Sequence, residues 1–522
     1  MEGGWTPFKE FDTVVIVNFG GQYAHLIARR VRELNVYSEI VNYTDFSIDV
    51  VESVRPKAII LSGGPSSIIA SPNPPMIGSW ILDIGVPVLG ICYGHQLLAY
   101  LIGGRVERGV GEYGKTEIEV VSHNDIFAGW GKREFVWMSH SDYVAEVPRD
   151  KAIVLARSVE TGYIAAFKLV DRPVYGVQFH PEVYHTQKGR KLIENFVVGI
   201  AKARQNWDAG NIIDRIVDEV RSVVGRDEKV LCAVSGGVDS TVTALLLKRA
   251  IGDRLVAVFV NHGLLREGED REVLNMLRSL GINPIYIDAS QRFLKALKGV
   301  VDCEEKRRII GEIFAEIFKE IAESDKGIKW LAQGTTYPDV IESGGAVGAD
   351  KIKSHHNVAG LPKWLNLRVL EPIRHLYKDE VRKLAIALGV PREWAYRHPF
   401  PGPGLAVRIV GEVTEEKLAI VRRASKIVEE ELKKEGLYER VWQAFAVVGE
   451  DRWVGVKGDK RELGYIVTVR IVESEDAMTA DWSKIPFEVL ERISNRITRE
   501  IPNVTMVTYA ISSKPPSTIE PC

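Results

Sequence analysis

Cys92 sits in the run Gly90-Ile91-Cys92-Tyr93-Gly94, after an apolar stretch and before a helical pattern. This is the spacing of a nucleophile elbow with cysteine in place of serine. The flanking glycines permit a tight strand-to-helix turn that pushes the sulfur out of the sheet edge. A helix N-terminus behind it favours thiolate over thiol. A thiolate nucleophile needs a proton partner, and His180-Pro181-Glu182 offers one. In an extended segment positions i and i+2 face the same side, so His180 can relay the proton while Glu182 fixes its tautomer. Acyl transfer also needs donors for a developing oxyanion. The backbone N–H of Gly64, in Gly63-Gly64-Pro65, is one candidate, and that of Tyr93 is the other. A lone cysteine is more often a buried structural residue. Elbow, His-x-Glu and Gly-Gly-Pro together favour the nucleophile.

A second constellation is Ser235-Gly236-Gly237-Val238-Asp239-Ser240, between an apolar run at 230–234 and a helical pattern at 241–250. Gly236 and Gly237 let backbone N–H groups approach an anion closely, and the helix N-terminus adds a favourable field. Ser235, Ser240 and Thr241 supply hydroxyl donors. Asp239 cannot help an anion directly, but it can hold the Mg²⁺ that accompanies one. GxxxxGK[ST] is absent, so this is not a Walker A loop.

Both constellations need sheets to carry them. Runs at 14–17, 58–61 and 86–91 read as buried strands, with helices at 23–34 and 96–102. Strand–helix alternation of this kind predicts a parallel sheet covered on both faces. Runs at 116–121, 135–138, 164–167 and 174–179 add strands with fewer helices, and a helix at 189–204 closes the unit. A charged helix at 211–224 leads into a second βαβαβ pattern: strands at 230–234, 255–260 and 285–287, helices at 241–250 and 271–280. A longer helix at 304–322 and a strand at 330–331 follow. Residues 339–359 hold three glycines and two adjacent histidines without a period, and read as a mobile functional loop. The cluster His398-Pro-Phe-Pro-Gly-Pro-Gly404 reads as a rigid hinge and domain boundary. Beyond it come a helix at 415–434, strands at 445–448, 465–470 and 504–511, and a helix at 487–500. The expected architecture is α/β: two doubly wound parallel-sheet domains (12–204 and 205–397) followed by a smaller α+β domain (398–522).

The chain's 522 residues suit about three domains. Apolar residues at 45% and charged residues at 26% exclude whole-chain disorder. A net charge of −2 supplies no global pull toward nucleic acid or an anionic membrane surface. Neither is expected as a partner. No stretch approaches the roughly 18 apolar residues of a membrane span, and residues 1–11 lack the apolar core of a signal peptide. Cys92, Cys232, Cys303 and Cys522 are far apart and form no CxxC pair. Cys303 has no partner nearby. This predicts neither a disulfide framework nor a zinc ribbon, and a reducing, cytoplasmic setting.

With these residues in view, resemblances can be stated. Gly90-Ile-Cys-Tyr-Gly-His-Gln96 with Gln178-Phe-His-Pro-Glu182 resembles the class I, triad glutamine amidotransferases, which hydrolyse glutamine and pass ammonia to a second domain. Residues 235–240 resemble the pyrophosphate loop of ATP pyrophosphatases, which cleave ATP between the α and β phosphates and adenylate a carbonyl-type oxygen. The pairing, with Leu331-Ala-Gln-Gly-Thr-Thr-Tyr-Pro-Asp-Val-Ile-Glu-Ser343 and Lys353-Ser-His-His-Asn357, resembles the glutamine-hydrolysing GMP synthases from about residue 12 to 520. The resemblance implies the substrates glutamine, ATP and XMP, ATP contacts by Ser235 to Thr241, and Mg²⁺ on Asp239. It also implies a last domain that forms a homodimer and helps complete the XMP site, with Arg266, Arg461, Lys514 and Glu520 as contacts. The usual fate of a lysine or arginine is a solvated surface charge. Lys514, beside Pro515-Pro516, is the strongest of these candidates.

The chain departs from the family pattern at several places. Asn18, Gly21, Tyr184 and Asn261 stand where Asp, Ser, Thr and Asp are frequent, and the chain ends Ile519-Glu-Pro-Cys522 where Ile-Glu-Trp-Glu is usual. An asparagine synthetase would use an N-terminal cysteine, but residue 2 is Glu2. A tRNA-thiolating enzyme would need reactive cysteines in the loop domain. A non-catalytic binding protein would not need an intact triad.

Overall fold

The computed structural model describes residues 10–123, 125–344, 367–474 and 479–522. They form two compact units, one running up to Ile212 and including residues 340–344, the other comprising Ile213–Asp339 and residues 367 to 522.

The first unit is built on nine strands: β1 (Thr13–Asn18), β2 (Tyr37–Asn42), β3 (Ala58–Leu61), β4 (Val88–Ile91), β5 (Arg105–Val120), β6 (Arg133–Glu146), β7 (Ala152–Ser158), β8 (Ile164–Leu169) and β9 (Val174–Val177). Their spatial order is β2-β1-β3-β4-β9-β8-β7-β5-β6. β2, β1, β3, β4 and β9 are parallel, and the other pairings are antiparallel. β3, β4 and β9 are buried at every position, as strands covered on both faces must be. β5 and β6 are longer than the apolar runs at 116–121 and 135–138 predict. Much of each alternates between more and less buried positions, so a search for apolar runs sees only part of each. The helical pattern at 189–204 is shorter: Gly189–Glu194 is α-helical and Asn195–Ile200 widens into a π-turn.

The second unit holds five parallel strands, β10 (Lys229–Ala233), β11 (Leu255–Asn261), β12 (Ile285–Asp288), β13 (Ile328–Ala332) and β14 (Arg368–Leu370), in the order β12-β11-β10-β13-β14. The order reverses between β10 and β13, the crevice where open parallel sheets take ligands. A further sheet consists of β15 (Gln443–Lys457), β16 (Lys460–Glu473), β17 (Asp481–Trp482) and β18 (Val504–Tyr509). β16 lies antiparallel to β15 and β17 and parallel to β18. The helices Glu415–Lys434 and Phe487–Glu500 supply its apolar cover, through residues such as Val421, Ile427, Val489 and Ile493.

One core joins the two sheets of this unit, running from Leu231 and Val258 through Ile310 and Leu405 to Val469 and Val504. The Pro/Gly cluster read as a hinge leads into the turn Gly404–Arg408, whose residues are all buried in or beside that core. A Cβ at Gly404 would lie 2.5 Å from the Leu264 carbonyl oxygen, so the glycine allows close backbone contact.

Two expectations are corrected. Residues 339–344 are not loop but belong to the helix Tyr337–Gly344; residues 345–359, with the run at 353–357, lie outside the described residues. Cys303 is not without a partner. It forms a disulfide with Cys522, 219 residues away, with Cα atoms 5.2 Å apart. The C-terminus folds back onto the start of the helix Cys303–Ser324, a proximity that no local spacing encodes. Cys92 and Cys232 are free thiols.

Candidate functional site

Cys92 leaves the end of β4 and His180 follows the end of β9. The two strands are parallel neighbours, with Ile91 opposite Val177, so strand pairing brings distant segments together. Cys92 adopts φ 51° and ψ −102°, a region that costs a non-glycine residue about 1–3 kcal/mol. A hydrogen bond from its N–H to the Val177 carbonyl (2.8 Å) holds it there. A Cβ at Gly94 would lie 2.5 Å from the Leu61 carbonyl oxygen, so the elbow needs glycine there. The following helix starts at Tyr93, earlier than the predicted residue 96. As the first helical residue, Tyr93 has an N–H without an acceptor in its own helix.

His180 Nδ1 lies 2.8 Å from Glu182 Oε1, and the two residues are 4% and 0% exposed. Thr186 Oγ1 donates to the His180 carbonyl, and Arg30 Nε to that of Glu182. These bonds fix the imidazole with its other edge toward the Cys92 sulfur. Burial opposes charge on His180, but the Glu182 carboxylate and the sulfur outweigh it and raise the imidazole well above its ordinary pKa. Gln178 Nε2 reaches the sulfur at 3.7 Å. By contrast, burial pushes the Cys232 thiol up to about 12, where it stays protonated.

A Cβ at Gly63 would lie 3.2 Å from His180 Cε1 and 3.6 Å from Cys92 Cβ, which puts the Gly63–Gly64 backbone beside the reacting groups. Gly21 fits closely here: a Cβ on it would stand 2.4 Å from the Gly63 carbonyl oxygen. Asn18 caps the same loop by accepting from the Gly20 N–H, and Tyr184 is exposed. A cavity of about 520 Å³ opens over Cys92, Tyr93 and Gly64, and its far wall includes Arg108, Tyr113 and Asp142. That wall, drawn from β5 and β6, is invisible to motif reading. His140 braces it, with Nε2 2.9 Å from Glu112 Oε2 and Nδ1 2.9 Å from the Asp142 carbonyl. Glu112 also accepts from Ser158 and Thr161. Burial would raise its carboxyl, but the hydrogen bonds led by His140 prevail and hold it below the ordinary range.

The phosphate loop follows β10 at the switch point. The helix after it is Val238–Ile251 with Gly237 at its N-cap, so Val238, Asp239 and Ser240 form its first turn and not a preceding loop. Their N–H groups are among those a helix leaves unpaired at its N-terminus. Gly236 has φ +82°, and a Cβ there would strike Val273 Cγ2 at 2.3 Å. Ser235 and Ser240 hydroxyls lie 3.2 Å apart. Thr241 is 1% exposed, and its hydroxyl is buried without a partner. Asp239 Oδ2 accepts from Lys378 Nζ, while Oδ1 is buried without a partner. The orphaned carboxylate oxygen fits a hard cation, and the unpaired N–H groups fit the phosphate that such a cation would accompany. Lys378, which opens the helix Lys378–Ala387, had no motif to announce it. Asn261 Oδ1 accepts from the Gly263 N–H, a turn role.

The remaining predicted residues fall into two groups. Glu520 accepts from Arg408 Nε (3.1 Å) and Nη2 (2.9 Å) and from Gln443 Nε2 (2.6 Å). The Arg408 and Arg266 guanidinium groups lie 5.2 and 4.5 Å from the centre of the Phe400 ring. Lys514 pairs through its backbone with Ala480, next to β17, at the same end of the sheet as Gln443. Arg461 stands apart: it faces Val456 while Gln443 faces Val472, and at about 3.4 Å per residue those ends are roughly 35 Å apart. Arg408 and Gln443 have no motif to announce them, although Arg408 closes the turn Gly404–Arg408 that follows the Pro/Gly cluster.

Comparison with known proteins agrees with this layout. The family model for class-I glutamine amidotransferase matches residues 15–200, that for NAD synthase residues 211–314, and that for the GMP synthase C-terminal domain residues 430–521. The GMP synthase [glutamine-hydrolyzing] of Pyrobaculum aerophilum is 62% identical over 512 residues, covering 98% of this chain and 100% of the relative. That of Aquifex aeolicus is 51% identical over 508 residues, covering 97% and 99%. With an amidotransferase elbow, a phosphate loop at a switch point and full-length identity of this order, the chain belongs to the family of glutamine-hydrolysing GMP synthases.

Proposed function

We infer that the two units divide the family reaction, in which ATP, XMP, glutamine and water give AMP, diphosphate, GMP and glutamate. In the first unit the Cys92 thiolate attacks the glutamine amide carbon. The N–H groups of Tyr93 and Gly64 stabilise the oxyanion. His180, its charged form supported by Glu182, protonates the departing ammonia, and water then releases glutamate from the thioester. In the second unit Ser235 to Thr241 hold the ATP phosphates. Asp239 would hold Mg²⁺, with Lys378 as the neighbouring cation; the ion would neutralise charge developing on the phosphates. The XMP oxygen takes up AMP, and ammonia displaces it to form GMP.

Arg266, Lys514 and Glu520, with Arg408 and Gln443, are the proposed XMP contacts within one chain. Arg461 would reach an XMP site only from a second copy. Exposed Trp453, Val454, Val456 and Leu463 on the same hairpin arm support a homodimer. A cytoplasmic setting is proposed from the family alone; among the described residues no helix is long and apolar enough to cross a membrane. The observation that carries the reading is the His180–Glu182 pair, buried beside Cys92 at the ends of adjacent strands. The test is GMP formation from glutamine and from ammonium in wild type and Cys92→Ala. Equal loss with both nitrogen sources in folded protein would overturn the division of labour.

A further inference from the structure

The chain ends Pro521-Cys522, and Cys522 is bonded to Cys303. Cys303 is the first residue of the helix Cys303–Ser324, whose N-cap Asp302 accepts from the Glu305 N–H. Two further residues of the same first turns face the same neighbourhood. Arg307 donates to the Cys522 main-chain oxygen. Lys306, fully buried, donates to the Ile409 carbonyl at 2.7 Å, next to Arg408.

One helix start therefore holds two things: the turn that carries Arg408 and the tail that carries Glu520. These are the two halves of the bidentate pair described above. Upstream, the tail is anchored where Arg470 donates to the Ser512 and Thr518 carbonyls. Between Thr518 and the chain end, Glu520 is held by Arg408 and Gln443, the groups that binding of XMP would disturb. Two anchors beyond it do not depend on them, the Arg307 bond to Cys522 and the disulfide, and the disulfide is the covalent one.

We propose that the Cys303–Cys522 disulfide is a positioning crosslink for the XMP site, keeping Glu520 in place when substrate draws Arg408 and Gln443 away from it. This rests on the assignment of Glu520 to XMP. Reduction is a two-electron exchange with a dithiol. One reagent thiolate attacks Cys522 Sγ and releases Cys303 as thiolate. The second reagent thiol then displaces Cys522, leaving the reagent as a cyclic disulfide and both cysteines protonated. Oxidised glutathione reverses this and leaves as two thiols. A freed tail occupies its place only part of the time, and apparent affinity falls by that fraction.

The experiment uses the full chain with ammonium as nitrogen source, so that Cys92 plays no part. KM for XMP is measured in oxidised protein, after dithiothreitol, and after reoxidation with oxidised glutathione, with the thiol count checked each time. The expected result is a rise in KM for XMP of about 10-fold on reduction, for a tail in place about a tenth of the time. Reoxidation should reverse it, with kcat and KM for ATP unchanged. Cys303→Ser should show the raised KM and no response to dithiothreitol. An unchanged KM for XMP in protein whose disulfide is shown to be open overturns the proposal. Glu520→Gln is measured alongside in oxidised protein. If it leaves KM for XMP unchanged, the assignment of Glu520 fails; if it raises KM while reduction does not, only the crosslink fails.

Discussion

The amidotransferase elbow and the phosphate loop both sit where a buried parallel strand ends, yet they are built differently. Around Cys92 the working side chains are buried and already bonded in their working order: His180 to Glu182, with Gln178 on the sulfur. Around Ser235 the surface is backbone N–H and hydroxyl, Ser235 and Gly237 are exposed, and Asp239 has one oxygen on a lysine and one on nothing. The contrast follows from the chemistry. A protein nucleophile must be activated before substrate arrives, so its partners are fixed by packing and hydrogen bonds. A phosphate loop catalyses by positioning a charged ligand that brings its own cation, so it is complete only when loaded.

If that contrast holds, deleting the nucleophile should have the largest and most selective effect. Cys92→Ala is expected to lower glutamine-driven GMP formation by about 10³-fold or more, the scale of losing a covalent nucleophile, while ammonium-driven synthesis persists. Steady-state assays with each nitrogen source measure this. Asp239→Asn should act on both sources alike, by about 10²- to 10³-fold, as for removal of a preorganised electrostatic group, and should raise the Mg²⁺ requirement. A variant with wild-type rates at limiting Mg²⁺ would remove Asp239 from the metal site.

Lys514→Ala sharpens the comparison on the substrate side. A charge-assisted bond to phosphate is worth roughly 1.5–3 kcal/mol, or about 10- to 150-fold in XMP affinity, with ATP binding intact. Titration calorimetry with XMP decides, and equal affinities would take Lys514 out of the site. The smallest effect should come from Glu112→Gln behind the amidotransferase pocket. Glu112 has a folded pKa below its unfolded value, so its stabilisation is present above the ordinary carboxyl pKa and lost as pH falls through the lower folded value. The variant should cost the first unit about 1–3 kcal/mol at neutral pH, and the deficit should vanish in acid. Thermal unfolding across pH checks this, and a deficit independent of pH would argue against an ionised Glu112 as the brace.

Much of both sites was legible in the chain because their geometry is local. An elbow, an i, i+2 pair and a Gly-Gly turn are each set within a few residues by backbone sterics, so spacing pointed to Cys92, His180 and Glu182 as candidates, while residues 235–241 needed the resemblance to a known phosphate loop as well. Fully buried strands such as β3 and β4 were equally plain, since covering both faces demands unbroken apolar runs. Helix starts were read late at residues 93 and 238, because the first turn of each carries the polar and glycine residues that chemistry needs in place of apolar ones.

The rest depended on contacts between segments far apart in the chain. Lys378 meets Asp239, Arg408 meets Glu520, and Glu112 meets His140 only after packing, and none of these pairs has a spacing to recognise. The same holds for Cys303 and Cys522: four scattered cysteines argue against a disulfide by sequence rules, and only the return of the C-terminus to the start of a helix brings two of them within bonding distance. The chain alone was enough to propose a nucleophile, its proton relay and a phosphate loop, because local backbone geometry sets the turns that carry them. Tertiary structure decided which distant charges and thiols meet, because that follows from how the core packs.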